Sequence, residues 1–232
     1  MSTATVEARE IEYPETDGIE MGESSIHLRA MLLLFQALEE FFRNRLDVFC
    51  ASDMFWYWKD GDNTVRTAPD AMVVPGVGRH ERKSFRSFHE GGAIPAVVFE
   101  ILSDGTWEED TIGKVTKYQK LGVPEYFLFD PMGTFMQPRL KGYRLRRGEY
   151  VPIRARKGRL PSSLGFELAP EDRMLRLFDA PTGKPVLTPL ETAEFERRRV
   201  EELGFRMEEL AEENARLQKL MKLRHKPNGN GS

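Results

Sequence analysis

Ala96-Val97-Val98-Phe99-Glu100-Ile101-Leu102-Ser103 is the stretch on which the fold reading turns. It is apolar on both faces, β-branched at Val97, Val98 and Ile101, and preceded by Pro95, so it predicts a strand buried on two sides. One residue breaks the pattern. Glu100 puts a carboxylate in the second half of the strand, and an isolated ionised carboxylate in an apolar interior costs several kcal/mol or more. It needs a cation, a donor network or a proton, and the rest of the chain has to supply it.

Downstream, Thr106-Trp107-Glu108-Glu109 has capping-box spacing and predicts a helix. Leu121-Gly122 supplies its stop, with Pro124 beyond, and Glu125–Asp130 reads as a second strand. Strand, helix and strand of these lengths make a βαβ unit, which puts the chain in the α/β class. Upstream, Pro69-Asp70-Ala71-Met72-Val73-Val74 is a short apolar strand with a carboxylate at its head. Val48–Ala51 and Met54–Trp58 read as further strands, with a turn at Lys59–Asn63 and a return at Thr64–Arg66. Residues 75–92 are polar and glycine-rich and read as a mobile loop, whose Arg79, His80, Arg82, Lys83 and Arg86 face either phosphates or solvent. An amphipathic helix is expected from Ser24 to about Asn44, apolar at Ile26, Met31, Leu34, Ala37, Leu38, Phe41 and Phe42, with Ser24 or Ser25 as N-cap. His27, near its start, reads first as a structural histidine, with a supporting role at a site as the alternative.

The 232 residues are 40% hydrophobic and 31% charged, enough for one sizeable core with appendages. No apolar run approaches the roughly 20 residues of a membrane span, so no membrane partner is expected. One cysteine, Cys50, excludes an internal disulfide and fits a reducing cytoplasm. Residues 1–19 carry Glu7, Glu10, Glu12, Glu15 and Asp17, which suits a loose acidic arm and not a signal peptide. The net charge of -3 argues against a constitutive nucleic-acid coat protein, although local basic patches matter more.

Such a patch runs from Arg139 to Arg159, interleaved with Tyr143 and Tyr150, with Arg147-Gly148 as a hairpin turn. Arg144, Arg146 and Arg147 are candidate DNA-backbone contacts; a charged edge that blocks strand-to-strand aggregation is the competing reading. Met174–Phe178 is one more strand. The domain is expected to span 20–185, followed by a helical segment at 186–225 and a polar tail at 226–232. In that helix Val200, Met207, Asn214 and Met221 fall at heptad position a and Leu203, Leu210 and Leu217 at d. That predicts a coiled-coil homodimer, the alternative being a helix folded back on its own domain.

Asp70, Glu100 and Lys114 answer the burial problem together. Two carboxylates on neighbouring strands form a hard oxygen site suited to Mg²⁺, and a lysine on the next helix would act on water or on phosphate oxygens. Spacing alone does not separate this from Glu100 paired with a buried Arg or a helix N-terminus.

Pro69-Asp70 followed by Val98 to Ser103, then Lys114-Val-Thr-Lys-Tyr118 and Gly122-Val-Pro-Glu-Tyr126 through Asp130-Pro131, resembles the PD-(D/E)XK nuclease pattern. More narrowly, it resembles the bacterial Uma-type family assigned to restriction endonucleases. The resemblance implies a restriction-endonuclease-like mixed sheet flanked by helices (an α/β, or α+β, core) with added hairpins. It also implies Mg²⁺ dependence, with Mn²⁺ as substitute, and cleavage of DNA phosphodiesters. By position, Asp70 and Glu100 become metal ligands and Lys114 the catalytic lysine, with Lys117 as its rival and Asp110 as a supporting partner four residues earlier. Leu102 stands where the orthodox pattern has its lysine, and Lys114 matches the position on the following helix that the Uma-type family uses. Burial beside Asp70 predicts that Glu100 titrates above the ordinary carboxylate range without metal. The competing function is a non-catalytic DNA-binding or interaction protein that keeps the nuclease fold.

Overall fold

The strand predicted around Glu100 runs Val97–Ile101 and lies inside a six-stranded mixed sheet. The computed structural model describes residues 12–14 and 24–224. In chain order the elements are α1 (Ser25–Phe41), β1 (Val48–Ala51), β2 (Trp56–Tyr57), β3 (Arg66–Thr67), β4 (Ala71–Pro75), β5 (Phe85–Arg86) and β6 (Val97–Ile101). Then come α2 (Lys114–Leu121), β7 (Glu125–Phe129), β8 (Leu140–Arg146), β9 (Glu149–Pro152), β10 (Leu160–Pro161), β11 (Phe166–Glu171), β12 (Met174–Asp179) and α3 (Pro189–Arg224). The main sheet has the order β1-β4-β6-β7-β8-β9; β10-β11-β12 and β3-β2-β5 form two smaller sheets. Within the main sheet β6 and β7 are parallel, joined through α2 as the βαβ reading requires, and the other pairs are antiparallel.

Alternation along the strands explains the two cores. Val97, Phe99 and Ile101 face the side covered by α1 and by β11 and β12, whereas Val98 and Leu102 face the side holding Trp56, Tyr118 and Tyr126. Glu100 shares the parity of Val98 and Leu102, so strand geometry sends its carboxylate toward α2. The β4–β6 register pairs Ala71 with Phe99, and the next step outward brings Asp70 opposite Glu100. Glycine is required where strands crowd: a Cβ at Gly142 would stand 2.6 Å from the Phe127 ring. Gly122 ends α2 in the left-handed conformation at φ 78°, as the stop signal predicts. At the tip between β8 and β9, Arg147 (φ 52°) and Gly148 (φ 85°) make the expected tight turn.

Three local expectations need correction. Residues 75–92 are not an open loop: Phe85 is fully buried, β5 pairs in parallel with β2, and Trp56 Nε1 donates to Ser87 Oγ at 2.8 Å. Much of the loop's charge is held internally. Arg79 donates to Glu39 and to the Phe42 carbonyl, Arg82 bonds Glu90 at 2.7 Å over the Phe49 ring, and Arg86 lies over the Tyr13 ring. The arm is not loose at residues 12–14. Tyr13 is buried against Tyr57 and Phe88, and Tyr57 donates to the Pro14 carbonyl at 2.6 Å. Aromatic burial overrides the acidic composition there. Thr106 does not cap a helix through its side chain; the turn before α2 is π-helical over Glu109–Gly113. The rest of the arm and the tail from 226 lie outside the described residues.

The chain divides into two compact units, the first ending at Val186 and the second beginning at Leu187. Within the second, Thr188 and Glu191 form a reciprocal capping box at the start of α3, with Glu191 Oε2 accepting from Thr188 N at 2.8 Å. Val200, Leu203, Met207, Leu210, Leu217 and Met221 are all exposed. Among the described residues, no helix is long and apolar enough to cross a membrane.

Candidate active site

Asp70 stands just before β4. Its Oδ2 accepts from the Ile101 backbone N–H at 2.5 Å and its Oδ1 lies 3.3 Å from His27 Nε2. The Asp70 carbonyl is fixed in turn by Ser52 Oγ at 2.7 Å. Glu100 is buried; its Oε1 accepts from the Tyr118 hydroxyl at 2.6 Å, and its Oε2 lies 2.9 Å from Lys114 Nζ and 3.4 Å from Asp70 N. Lys114 Nζ also lies 2.8 Å from Asp110 Oδ1. One ammonium therefore sits between two buried carboxylates, with a third across the strand pair.

The helix that delivers these groups is braced from below. Tyr126 donates to the Asp110 carbonyl at 2.9 Å and so ties β7 to the π-helical turn. Tyr118 stacks on Trp56 with planes 7° apart, which leaves its hydroxyl aimed at Glu100 and within 3.3 Å of Thr67 Oγ1. Asp110, Lys114 and Tyr118 recur at intervals of four, one ridge of a helix.

Charge is unbalanced here. Burial, reinforced by Asp70 and Asp110 and opposed by Lys114, pushes the Glu100 carboxyl up to about 8. Burial raises Asp110 as well. For Lys114 burial works against the charge, but Glu100 and Asp110 more than offset it and hold the amine above its ordinary value. Burial and Glu100 also raise Tyr118, keeping it a hydrogen-bond donor at neutral pH.

The sequence candidates divide clearly by position. Asp70, Glu100, Lys114, Asp110 and His27 lie in one connected cluster. Lys117 does not join it: its Nζ is 3.6 Å from Glu109 and about a third exposed. Arg144 is engaged in the fold, bonding the buried Glu125 at 2.6 Å and the Pro161 carbonyl at 3.1 Å. Arg146 and Arg147 are exposed at the β8–β9 tip. Sequence reasoning missed Tyr118, Thr67 and Tyr126. The four-residue interval from Asp110 through Lys114 was the available signal for Tyr118; Thr67 and Tyr126 arrive through tertiary packing alone. For His27 the signal was periodicity, since 27, 31, 34 and 38 form the buried stripe of α1.

The donor chemistry fits a divalent cation. Asp70 and Glu100 offer hard oxygens, and among the described residues three buried or half-buried carboxylates face a single ammonium and one imidazole. Among the described residues, no group of three or more His, Cys, Asp or Glu side chains closes around a common point as arranged here. The fit therefore rests on oxygen type and excess negative charge.

Residues 6–174, well over half the chain, match the Uma2 family model, described as "Putative restriction endonuclease". Among solved structures, the chain is similar to a crystal structure from Anabaena variabilis described as a putative nuclease belonging to DUF820. The identity is 14% and the TM-score 0.44, over 61% of this chain and 74% of that one. No curated protein matches.

Proposed function

Because the chain belongs to the Uma2 family, whose description reads "Putative restriction endonuclease", we propose that it is a divalent-metal-dependent endonuclease that hydrolyses DNA phosphodiester bonds. The observation that carries this reading is one cluster in which Lys114 bridges Glu100 and Asp110 and the Asp70 backbone N–H reaches Glu100 Oε2 from the neighbouring strand. Asp70 and Glu100 would hold Mg²⁺, with Mn²⁺ as substitute. When bound, the ion would lower the pKa of a coordinated water and stabilise charge on the phosphate.

The chain's own groups have separable tasks. Lys114 is held as an ammonium by its two carboxylates, so it donates to water or to a phosphate oxygen and does not abstract a proton. Asp110 keeps that ammonium in reach whether or not Glu100 is engaged elsewhere. Tyr118 fixes the rotamer of Glu100 through Oε1 and leaves Oε2 for other partners. The exposed Arg146 and Arg147 would meet the DNA backbone, whereas Arg144 serves the fold.

The exposed seam of α3, with Asn214 at an a position, supports a parallel homodimer. The buried single cysteine supports residence in a reducing cytoplasm. Supercoiled plasmid incubated with the protein and Mg²⁺ or Mn²⁺ should be nicked or linearised, and Glu100→Gln should abolish this. Equal cutting by wild type and variant would assign the activity to a contaminant. Removal of residues after Val186 should turn a two-chain particle into a single chain in solution; an unchanged number of chains per particle would remove the dimer.

A further inference from the structure

We propose that His27 is a nitrogen ligand of the ion held at Asp70, and that it biases the site toward Mn²⁺ over Mg²⁺. The inference deepens the nuclease reading and rests on its metal site.

His27 is only 3% exposed and lies on the buried stripe of α1, its backbone N–H capped by Ser24 Oγ at 3.2 Å. That anchoring sends the imidazole across to the head of β4, where Nε2 stands 3.3 Å from Asp70 Oδ1. The other Asp70 oxygen is committed to the Ile101 N–H at 2.5 Å, so Oδ1 is the oxygen available to a cation. Two adjacent ligands of an octahedral ion, each about 2.1 Å from it, stand about 3.0 Å apart. The observed separation comes within a few tenths of an ångström of that spacing, so a cation taken up by Oδ1 also lies within reach of Nε2. A neutral imidazole adds a ligand without adding negative charge, which suits a site already holding three carboxylates against one ammonium. Mn²⁺ also favours carboxylate and water, but as a first-row transition ion it accepts an imidazole nitrogen more readily than Mg²⁺, which keeps to oxygen and water.

The competing role is purely orienting, with His27 donating a hydrogen bond that steers Asp70. It makes a different prediction. A ligand that orients another affects every metal alike, with losses of ~10–100-fold in affinity; a nitrogen ligand affects Mn²⁺ selectively.

The test uses the full chain loaded with Mn²⁺ and pulsed electron paramagnetic resonance, which detects nitrogen bonded to the ion. Wild type should show imidazole nitrogen coupling, and Asp70→Asn should remove the bound-ion signal. Calorimetry should show His27→Gln losing ~10-fold or more in Mn²⁺ affinity and less than ~3-fold in Mg²⁺ affinity. Bound Mn²⁺ without nitrogen coupling in wild type, or equal losses for both ions, overturns the proposal and leaves the nuclease reading in place. Wild type that binds neither ion overturns both. The wild-type spectrum decides the question even if His27→Gln fails to fold.

Discussion

Replacing Lys114 with Met removes the one ammonium that, among the described residues, contacts Glu100 and Asp110, at 2.9 and 2.8 Å, from a position where its side chain is 13% exposed. Breaking a buried ion pair from one side costs roughly 3–5 kcal/mol when the remaining charge has no other compensation. Here the cost depends on pH, because Glu100 and Asp110 can take up protons. Glu100, already pushed up to about 8 by burial, Asp70 and Asp110 against the pull of Lys114, should move higher once Lys114 is gone. A carboxyl raised in the folded state binds its proton more tightly there than in the unfolded chain. Its contribution to stability is intact below the ordinary carboxylate range and is lost as pH rises through the folded value. The variant's deficit should therefore be about 1 kcal/mol near pH 6 and approach the full ~3–5 kcal/mol near pH 9. Urea denaturation at the two pH values measures it. Adding Glu100→Gln should recover most of the alkaline deficit. A deficit independent of pH, or larger in acid, would refute the assignment of Lys114 as counter-charge.

Four other outcomes follow from the same structure. Metal uptake must displace the proton that Glu100 carries below about pH 8, so affinity for Mg²⁺ or Mn²⁺ should rise ~10-fold per pH unit from pH 6 and level off above 8. Calorimetry in buffers of different ionisation heat reads the proton release directly, and a flat profile counts against it. Arg144→Ala should lower stability by about 3 kcal/mol, since it strips the cation from the buried Glu125, and should leave the salt dependence of DNA binding unchanged. Arg147→Ala should do the reverse, changing stability by under ~0.5 kcal/mol and reducing the salt slope. Gly142→Ala should destabilise by ~1–3 kcal/mol, because its methyl would meet the Phe127 ring at 2.6 Å, and thermal denaturation checks this.

The mixed sheet was legible because its evidence is local. The doubly apolar β6, the βαβ rhythm and the stop at Leu121-Gly122 each report on a few consecutive residues. Asp70 and Glu100 were legible as candidates because a charged side chain in or beside an apolar strand needs a partner, and the family resemblance singled out Lys114 on the following helix. What the sequence concealed depended on long-range packing. Phe85 gives no sign in its polar surroundings that it completes a sheet with Trp56, and Tyr13 lies in an acidic stretch yet packs on Tyr57. Arg144 looked like its basic neighbours because only the β7–β8 register reveals Glu125 opposite it. His27 stayed open to two readings for a related reason: a single histidine among apolar residues reads as core until the head of β4 is seen beside it.

The central claim is that Asp70 and Glu100 share one divalent ion. Crystals grown with Mn²⁺ and measured at a wavelength with strong manganese anomalous scattering test it most directly. The account predicts an anomalous peak about 2.2 Å from a carboxylate oxygen of Asp70 and of Glu100, with Lys114 still against Asp110. A well-ordered cleft with no peak there, or a peak held by other side chains, would contradict it.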